Sequence, residues 1–309
     1  MIEFKVPATS ANLGPGYDSL GLALSLYNNF KLKKRKDSLI KIKIIDKLNN
    51  QQINIDESDN LLIKAYKRYY SYLNKDIEGI EITEEMNTPL ARGLGSSSSA
   101  IIGGLAAAAI NSDILIPREE FIQLAVELEK HPDNVVPALV GGLTINFYCN
   151  NSYDYYKIDV GQDLDFILVV PDFELKTNEL RKVLPKKIDY QAAISNLGRV
   201  SLLTSIFINK DYQLLKTAME DSMHQPYRKK LIRGFDEVLE TAYQNGAYGV
   251  ALSGAGPTIL AVADKNLDTI SKSMINAFKN NSIDAVSYTV KASNKDLYQK
   301  LKEENFFND

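Results

Sequence analysis

The chain has 309 residues, 45% of them hydrophobic and 24% charged, with a formal net charge of −3. That length suits two soluble domains with substantial cores, and the acidic balance gives no global drive toward nucleic acid or an anionic membrane. One cysteine, Cys149, excludes an intramolecular disulfide and a cysteine metal cage. No stretch reaches the ~18 apolar residues of a membrane span, and MIEFKVPATS does not read as a signal peptide, so a reduced, cytoplasmic protein is expected.

In chain order, Ile2, Phe4 and Val6 alternate with polar residues and predict a short strand. Residues 7–16 (PATSANLGPG) read as a turn-rich segment, and 17–26 carry apolar residues at mixed spacing. The basic run Lys31, Lys33, Lys34, Arg35 and Lys36 reads as a solvated turn rather than a binding patch. Ile40, Ile42 and Ile44 alternate as a second strand. Residues 59–74 have a helical period, with Leu62, Ala65, Tyr66, Tyr69 and Leu73 on one face and Ser58 or Asp59 as the cap. Ile80 and Ile82 give a strand, followed by the loop 89–99 (PLARGLGSSSS) and an alanine-rich helix over 100–109. Residues 117–130 predict a helix with Pro117 in its first turn. A Gly-Gly break in 135–144 leads into a strand, 144–149, on which Cys149 is expected to be a packed thiol.

Residues 165–170 (DFILVV) are a buried-strand candidate. Helices are expected over 190–208, 213–223 and 235–244, with Gly246 near the C-cap of the last. Residues 250–252 and 258–263 read as strands flanking a tight turn, 253–257 (SGAGP). A helix (270–280), a strand (285–290) and a helix (295–304) follow. The mixed order argues an α+β fold, with a boundary near 160–170.

The loop of Pro89, Leu90, Ala91, Arg92, Gly93, Leu94, Gly95, Ser96, Ser97, Ser98 and Ser99 carries the strongest chemical signal. Glycines allow close backbone approach, a helix start offers unpaired N–H groups and a positive dipole end, and hydroxyls add donors. The bland reading is a Gly/Ser turn with a serine cap. No lysine follows Gly95, so this is not a Walker A loop. Two further glycine-bearing turns, 10–18 and 253–257, suggest backbone converging on a ligand.

PATSANLGPGYDSLGLAL, PLARGLGSSSSA and LSGAGPT, in this order, resemble the three motifs of the GHMP kinase superfamily, and EKHPDNV at 129–135 is similar to its homoserine kinase family. The resemblance runs from about Ile2 to Val290. It implies a two-domain GHMP kinase fold: an ATP-binding domain like domain 2 of ribosomal protein S5 (1–164) and a ferredoxin-like domain (165–309). It further implies transfer of the γ-phosphoryl group of MgATP to the side-chain hydroxyl of L-homoserine, in threonine biosynthesis, and a homodimer.

Residue by residue, the resemblance assigns Asn12, Asp18 and Asp133 to the substrate ammonium, and Arg181 and Arg228 to its carboxylate. His131, Gly254 and Gly256 also fall on the substrate side, while His224 reads as packing. Thr177 matches the hydroxyl near the phosphoryl acceptor. Asn134 and Arg181 would orient the acceptor, leaving open whether Asp133 is a base. Ser97 or Ser98 with Glu129 would hold Mg2+. Glu127 is the rival, because Lys130 stands where the family has glycine. Asn60 would meet adenine. The alternatives are another small-molecule kinase of the superfamily, of mevalonate-pathway type, and a non-catalytic nucleotide or amino-acid sensor.

Overall fold

Alternation of apolar and polar residues builds the first sheet. In the computed structural model, which describes residues 1–175 and 177–303 without the side chains of Thr177 and Asn178, β1 (Ile2–Asn12) and β2 (Gly16–Lys34) pair antiparallel. Extended pairing therefore runs through much of the segment expected to turn. The small residues Ala8, Thr9, Ser10 and Ala11 are buried there, and register shifts at Pro7/Ala8 and Ala11/Asn12 accommodate a proline that has no N–H to donate. The basic run is also strand rather than turn as far as Lys34. Lys31 pairs with Glu85 at 2.8 Å and Lys34 with Asp113 at 2.6 Å.

β3 (Ile40–Asp46), β4 (Gln51–Ile53) and α1 (Leu61–Leu73) lead to β5 (Ile80–Met86), which runs parallel to β3. The cap of α1 is Asn60, not Ser58 or Asp59: its Oδ1 accepts from the N–H groups of Leu62 and Ile63. α2 (Ser96–Ser112), α3 (Arg118–Glu129) and α4 (Pro132–Val140) follow. α4 was missed by periodicity; Pro132 starts it, and apolar residues surround it. β6 (Leu143–Cys149) and β7 (Ser152–Ile158) complete a sheet of order β4-β3-β5-β2-β6-β7, with β1 on β2. Cys149 is exposed at the tip of the β6–β7 hairpin, so the packed-thiol expectation fails at the strand's frayed end.

The second half contains β8 (Asp165–Pro171), α5 (Thr177–Lys182), α6 (Tyr190–Asn209), α7 (Leu215–Ala218), α8 (Gln225–Arg228), α9 (Phe235–Gln244), β9 (Gly249–Leu252), β10 (Ile259–Ala263), α10 (Leu267–Asn280), β11 (Ala285–Val290) and α11 (Leu297–Glu303). The helix expected over 213–223 is broken. A 3₁₀ turn and α7 end at Ala218, and the Asp221 carboxylate instead accepts from the N–H groups of Met223, His224 and Gln225.

The second sheet is antiparallel, in order β11-β8-β10-β9. β8 is buried on both faces, which explains its unbroken apolar run. Ile167 and Val169 pack with α9 and α10, while Phe166, Leu168 and Val170 pack with α6, α7 and residues of β1 and β2. α11 returns to the first layer, where Leu297 and Leu301 join the core under α2 and α3. No helix among the described residues is long and apolar enough to cross a membrane.

Candidate active site

Three turns distant in sequence meet at one cleft. Asn12 ends β1 in the left-handed region (φ 70°), which asparagine tolerates, and so reverses its side chain toward the carboxyl-terminal half. Its Nδ2 donates to Gly254 O (2.8 Å) and its Oδ1 accepts from Asp18 N (3.0 Å). Gly254 N donates to Ala11 O (3.0 Å), and Ser253 Oγ lies 2.7 Å from Gly93 O as donor. The glycines are sterically required. A Cβ on Gly93 would come 2.4 Å from Ser253 O, and one on Gly95 would come 2.0 Å from Thr9 Oγ1, both at positive φ. The cleft encloses about 90 Å3.

At one end lies the α2 amino terminus. Gly95 caps it without a side chain, so Ser96 and Ser97 bring main-chain N–H groups and a positive dipole end to the cleft. Asn28 braces the approach: its Nδ2 donates to Ser99 Oγ and its Oδ1 accepts from Asn87 N, Thr88 N and Thr88 Oγ1. Ser97 Oγ donates to Glu129 Oε1 at 2.7 Å, whereas Glu127 is exposed and forks with Arg68. Burial raises the pKa of Glu129, against the hydrogen bond from Ser97 and the nearby His131. Ser98 Oγ and Arg92 Nη1 are buried without a hydrogen-bond partner.

At the other end charges alternate. Arg181 forks onto Asp18 (2.8 and 3.1 Å) and donates to Tyr17 Oη (2.9 Å). Arg228 is 1% exposed; it donates to Gly254 O and to His224 Nδ1, and its guanidinium lies 5.2 Å from the Tyr17 ring centre. His224, buried as expected, shares its Nε2 proton with Gly14 O (2.7 Å), and burial lowers its pKa, keeping the ring neutral. His131 Nδ1 meets Asp133 Oδ1 at 2.7 Å. Burial opposes a charged ring there, but Asp133 and Glu129 outweigh it and raise the pKa of His131. Asn134 Oδ1 accepts from Thr9 Oγ1 at 2.8 Å, linking α4 to β1.

The cleft thus gathers Asn12, Asp18, Ala91, Gly93, Gly95, Ser96, Ser97, Glu129, His131, Asp133, Asn134, Arg181, Arg228 and Gly254 of the expected residues. Asn60, Pro89, Leu90, Arg92, Leu94, Ser98, Ser99 and Gly256 lie outside its lining, and the Thr177 side chain lies outside the described residues. Tyr17, which sits against both arginines, and Thr9 were not foreseen. Their signal was adjacency to Asp18 and to Ser10 in a motif-bearing segment. A wider hollow of about 690 Å3 between α7 and α9 shows no such convergence: Arg199 pairs with Glu220 and Lys229 with Asp236.

Residues 60–142 match the GHMP kinases N terminal domain and residues 202–280 the GHMP kinases C terminal. The chain is 47% identical over 300 residues to a homoserine kinase of Halothermothrix orenii, covering 97% of this chain and 96% of that protein. A homoserine kinase of Aquifex aeolicus is 39% identical, with 96% and 98% covered. The crystal structure of a homoserine kinase from Cytophaga hutchinsonii superposes with a TM-score of 0.85 at 28% identity over 95% of both chains, and the two-domain α+β architecture is the one the motifs implied. A Methanococcus jannaschii mevalonate kinase, at 16% identity and a TM-score of 0.69 over 94% of this chain and 98% of that one, shares the fold alone. On these grounds the chain belongs to the GHMP kinases, within their homoserine kinase family.

Proposed function

We propose that this chain transfers the γ-phosphoryl group of ATP to the side-chain hydroxyl of L-homoserine, yielding O-phospho-L-homoserine for threonine biosynthesis. One observation carries the reading: a helix amino terminus with the Ser97–Glu129 pair and the Asp18–Arg181–Arg228 charge set share one cleft. Homoserine is a zwitterion. Asp18 and Arg181 now satisfy each other, so an ammonium and a carboxylate entering together can take one partner each without stranding a charge. Arg228 adds a second cation for the carboxylate. Mevalonate brings a carboxylate without an ammonium and would leave Asp18 unmatched.

Phosphoryl transfer has a loose transition state, so positioning and charge neutralisation supply most of its rate. The loop 89–99 and the first turn of α2 receive the phosphates, and Asn60 remains the candidate for adenine through its Nδ2, since its Oδ1 caps α1. Asn134, held by Thr9, and Arg181 orient the acceptor hydroxyl, with Thr177 beside it. Asp133 already accepts from His131 and Asn134, which supports an orienting role over a proton-abstracting one. Glu129 and Ser97 suit Mg2+ as one carboxylate and one hydroxyl. Among the described residues no group of three acidic, histidine or cysteine side chains is arranged to hold a metal ion, so phosphate oxygens and water would supply the remaining ligands. The ion would neutralise phosphate charge. The protein is further read as a cytoplasmic homodimer.

The test is ADP release with L-homoserine beside mevalonate. Homoserine-dependent turnover is expected, and Arg181→Ala should raise the KM for homoserine by about 10–100-fold, the cost of a lost charged fork. Wild-type protein that releases no homoserine-dependent ADP removes the substrate assignment.

A further inference from the structure

Helix α6 spans 20 residues and carries one charged side chain, Arg199, which is engaged by Glu220 at 2.6 Å. One face buries Asn196, Leu203, Ile206 and Phe207. The opposite face presents Tyr190 (78% exposed), Ile194 (46%), Leu197 (70%) and Ile208 (56%), with Gly198, Ser201 and Ser205 between them. Their spacing is helical, so they form one stripe. The serines do not make it polar: Ser201 Oγ donates to Leu197 O and Ser205 Oγ accepts from Asn209. A Cβ on Gly198 would meet nothing within 4 Å, so this glycine serves no contact inside the chain although it weakens the helix.

We propose that the outer face of α6 is a two-fold interface in which it packs antiparallel against α6 of a second copy of this chain. The proposal rests on the homodimer reading and assigns its surface. Self-complementarity selects the occupant. Antiparallel pairing centred near residue 199 sets Tyr190 against Ile208, Ile194 against Ser205 and Leu197 against Ser201, large against small. Beyond the helix ends it brings Lys187 near Asp211 and Asp189 near Lys210, all exposed. It also opposes the two helix dipoles, setting each positive end beside the partner's negative end.

A charge near the axis of an isologous contact meets its own copy, and this face has none. An oppositely charged partner would select for charge there instead. Four half-exposed large side chains contribute roughly 500 Å2 per copy. Two copies then supply about 1,000 Å2 of the 1,200–2,000 Å2 typical of a stable interface, before the rim is counted.

The full-length chain should sediment at twice its own mass at micromolar concentration. Leu197→Glu should halve the apparent mass while keeping the wild-type circular dichroism spectrum. In a Cys149→Ser background, Gly198→Cys should give a disulfide-linked dimer under mild oxidation, whereas wild type, with only the exposed Cys149, should not. A monomeric wild type overturns both the homodimer reading and this surface. A wild-type dimer that survives Leu197→Glu, with no disulfide at Gly198→Cys, overturns the surface alone.

Discussion

Glu84 faces inward from β5, in phase with Ile80, Ile82 and Met86. It is 1% exposed, and its Oε1 has no hydrogen-bond partner. Burial pushes its pKa from 4.5 up to about 8. Below pH 4.5 both folded and unfolded chains hold the proton and no stability is at stake. Between pH 4.5 and 8 the unfolded chain releases it and the folded chain does not, so stability is lost as pH rises. A gap of that width caps the loss at about 5 kcal/mol. Glu84→Gln, which keeps the shape and cannot ionise, should therefore melt above wild type at pH 8 and level with it at pH 4.5. An equal difference at both pH values would mean that Glu84 does not titrate this way. The position is visible in the sequence as an acid on the apolar phase of a strand; its lack of a partner is not.

Elements differ in what their own residues dictate. α9 follows from periodicity to the residue, because it lays one apolar stripe on a core, and α6 ends within one residue of its expected bounds although apolar side chains occupy both its faces. The stretch after Ala218 defeats the same reasoning, since Asp221 captures three main-chain N–H groups that a helix would have used, and Asn196 as well. β2 was underestimated because its residues satisfy three neighbours, β1, β5 and β6, none of them legible locally. The site divides in the same way. The residues within motif segments were readable through the family resemblance. The bonds that bring them together, such as Asn12 to Gly254 and Thr9 to Asn134, join residues far apart in sequence and have no local signature.

Asp221 offers the sharpest test at this scale, as a positioning residue. It fixes the start of α8, which His224 caps and which carries Arg228 into the site, and through Asn196 it reaches Pro15 O behind the Asn12–Asp18 turn. Asp221→Ala should raise the KM for homoserine at least ~10-fold, as expected when a buried charged hydrogen-bond hub is lost, while the KM for ATP stays within about 2-fold. Equal rises in both would indicate general loosening rather than positioning.

At the scale of the whole molecule, each sheet has an apolar core of its own and the two share a third between them. Leu20, Leu22 and Leu24 of β2 pack in the same cluster as Phe166, Leu168 and Val170 of β8 and Leu203 of α6. α11 crosses back to seal the first layer, with Tyr298 against Phe121 and its hydroxyl donating to Ile116 O. A helix near the carboxyl end thus stabilises the layer that begins the chain. Chains of this length commonly unfold in stages, domain by domain. Here, opening either layer strips apolar cover from the other, which couples the two. The expected outcome is one cooperative urea transition, with far-ultraviolet circular dichroism and the near-ultraviolet signal of the 17 tyrosines superimposing. Leu22→Ala, a cavity in the shared cluster, should cost about 2–5 kcal/mol and shift both signals together. If Leu22→Ala instead separates them into two transitions, the layers are independent folding units and the shared cluster is an interface rather than a core.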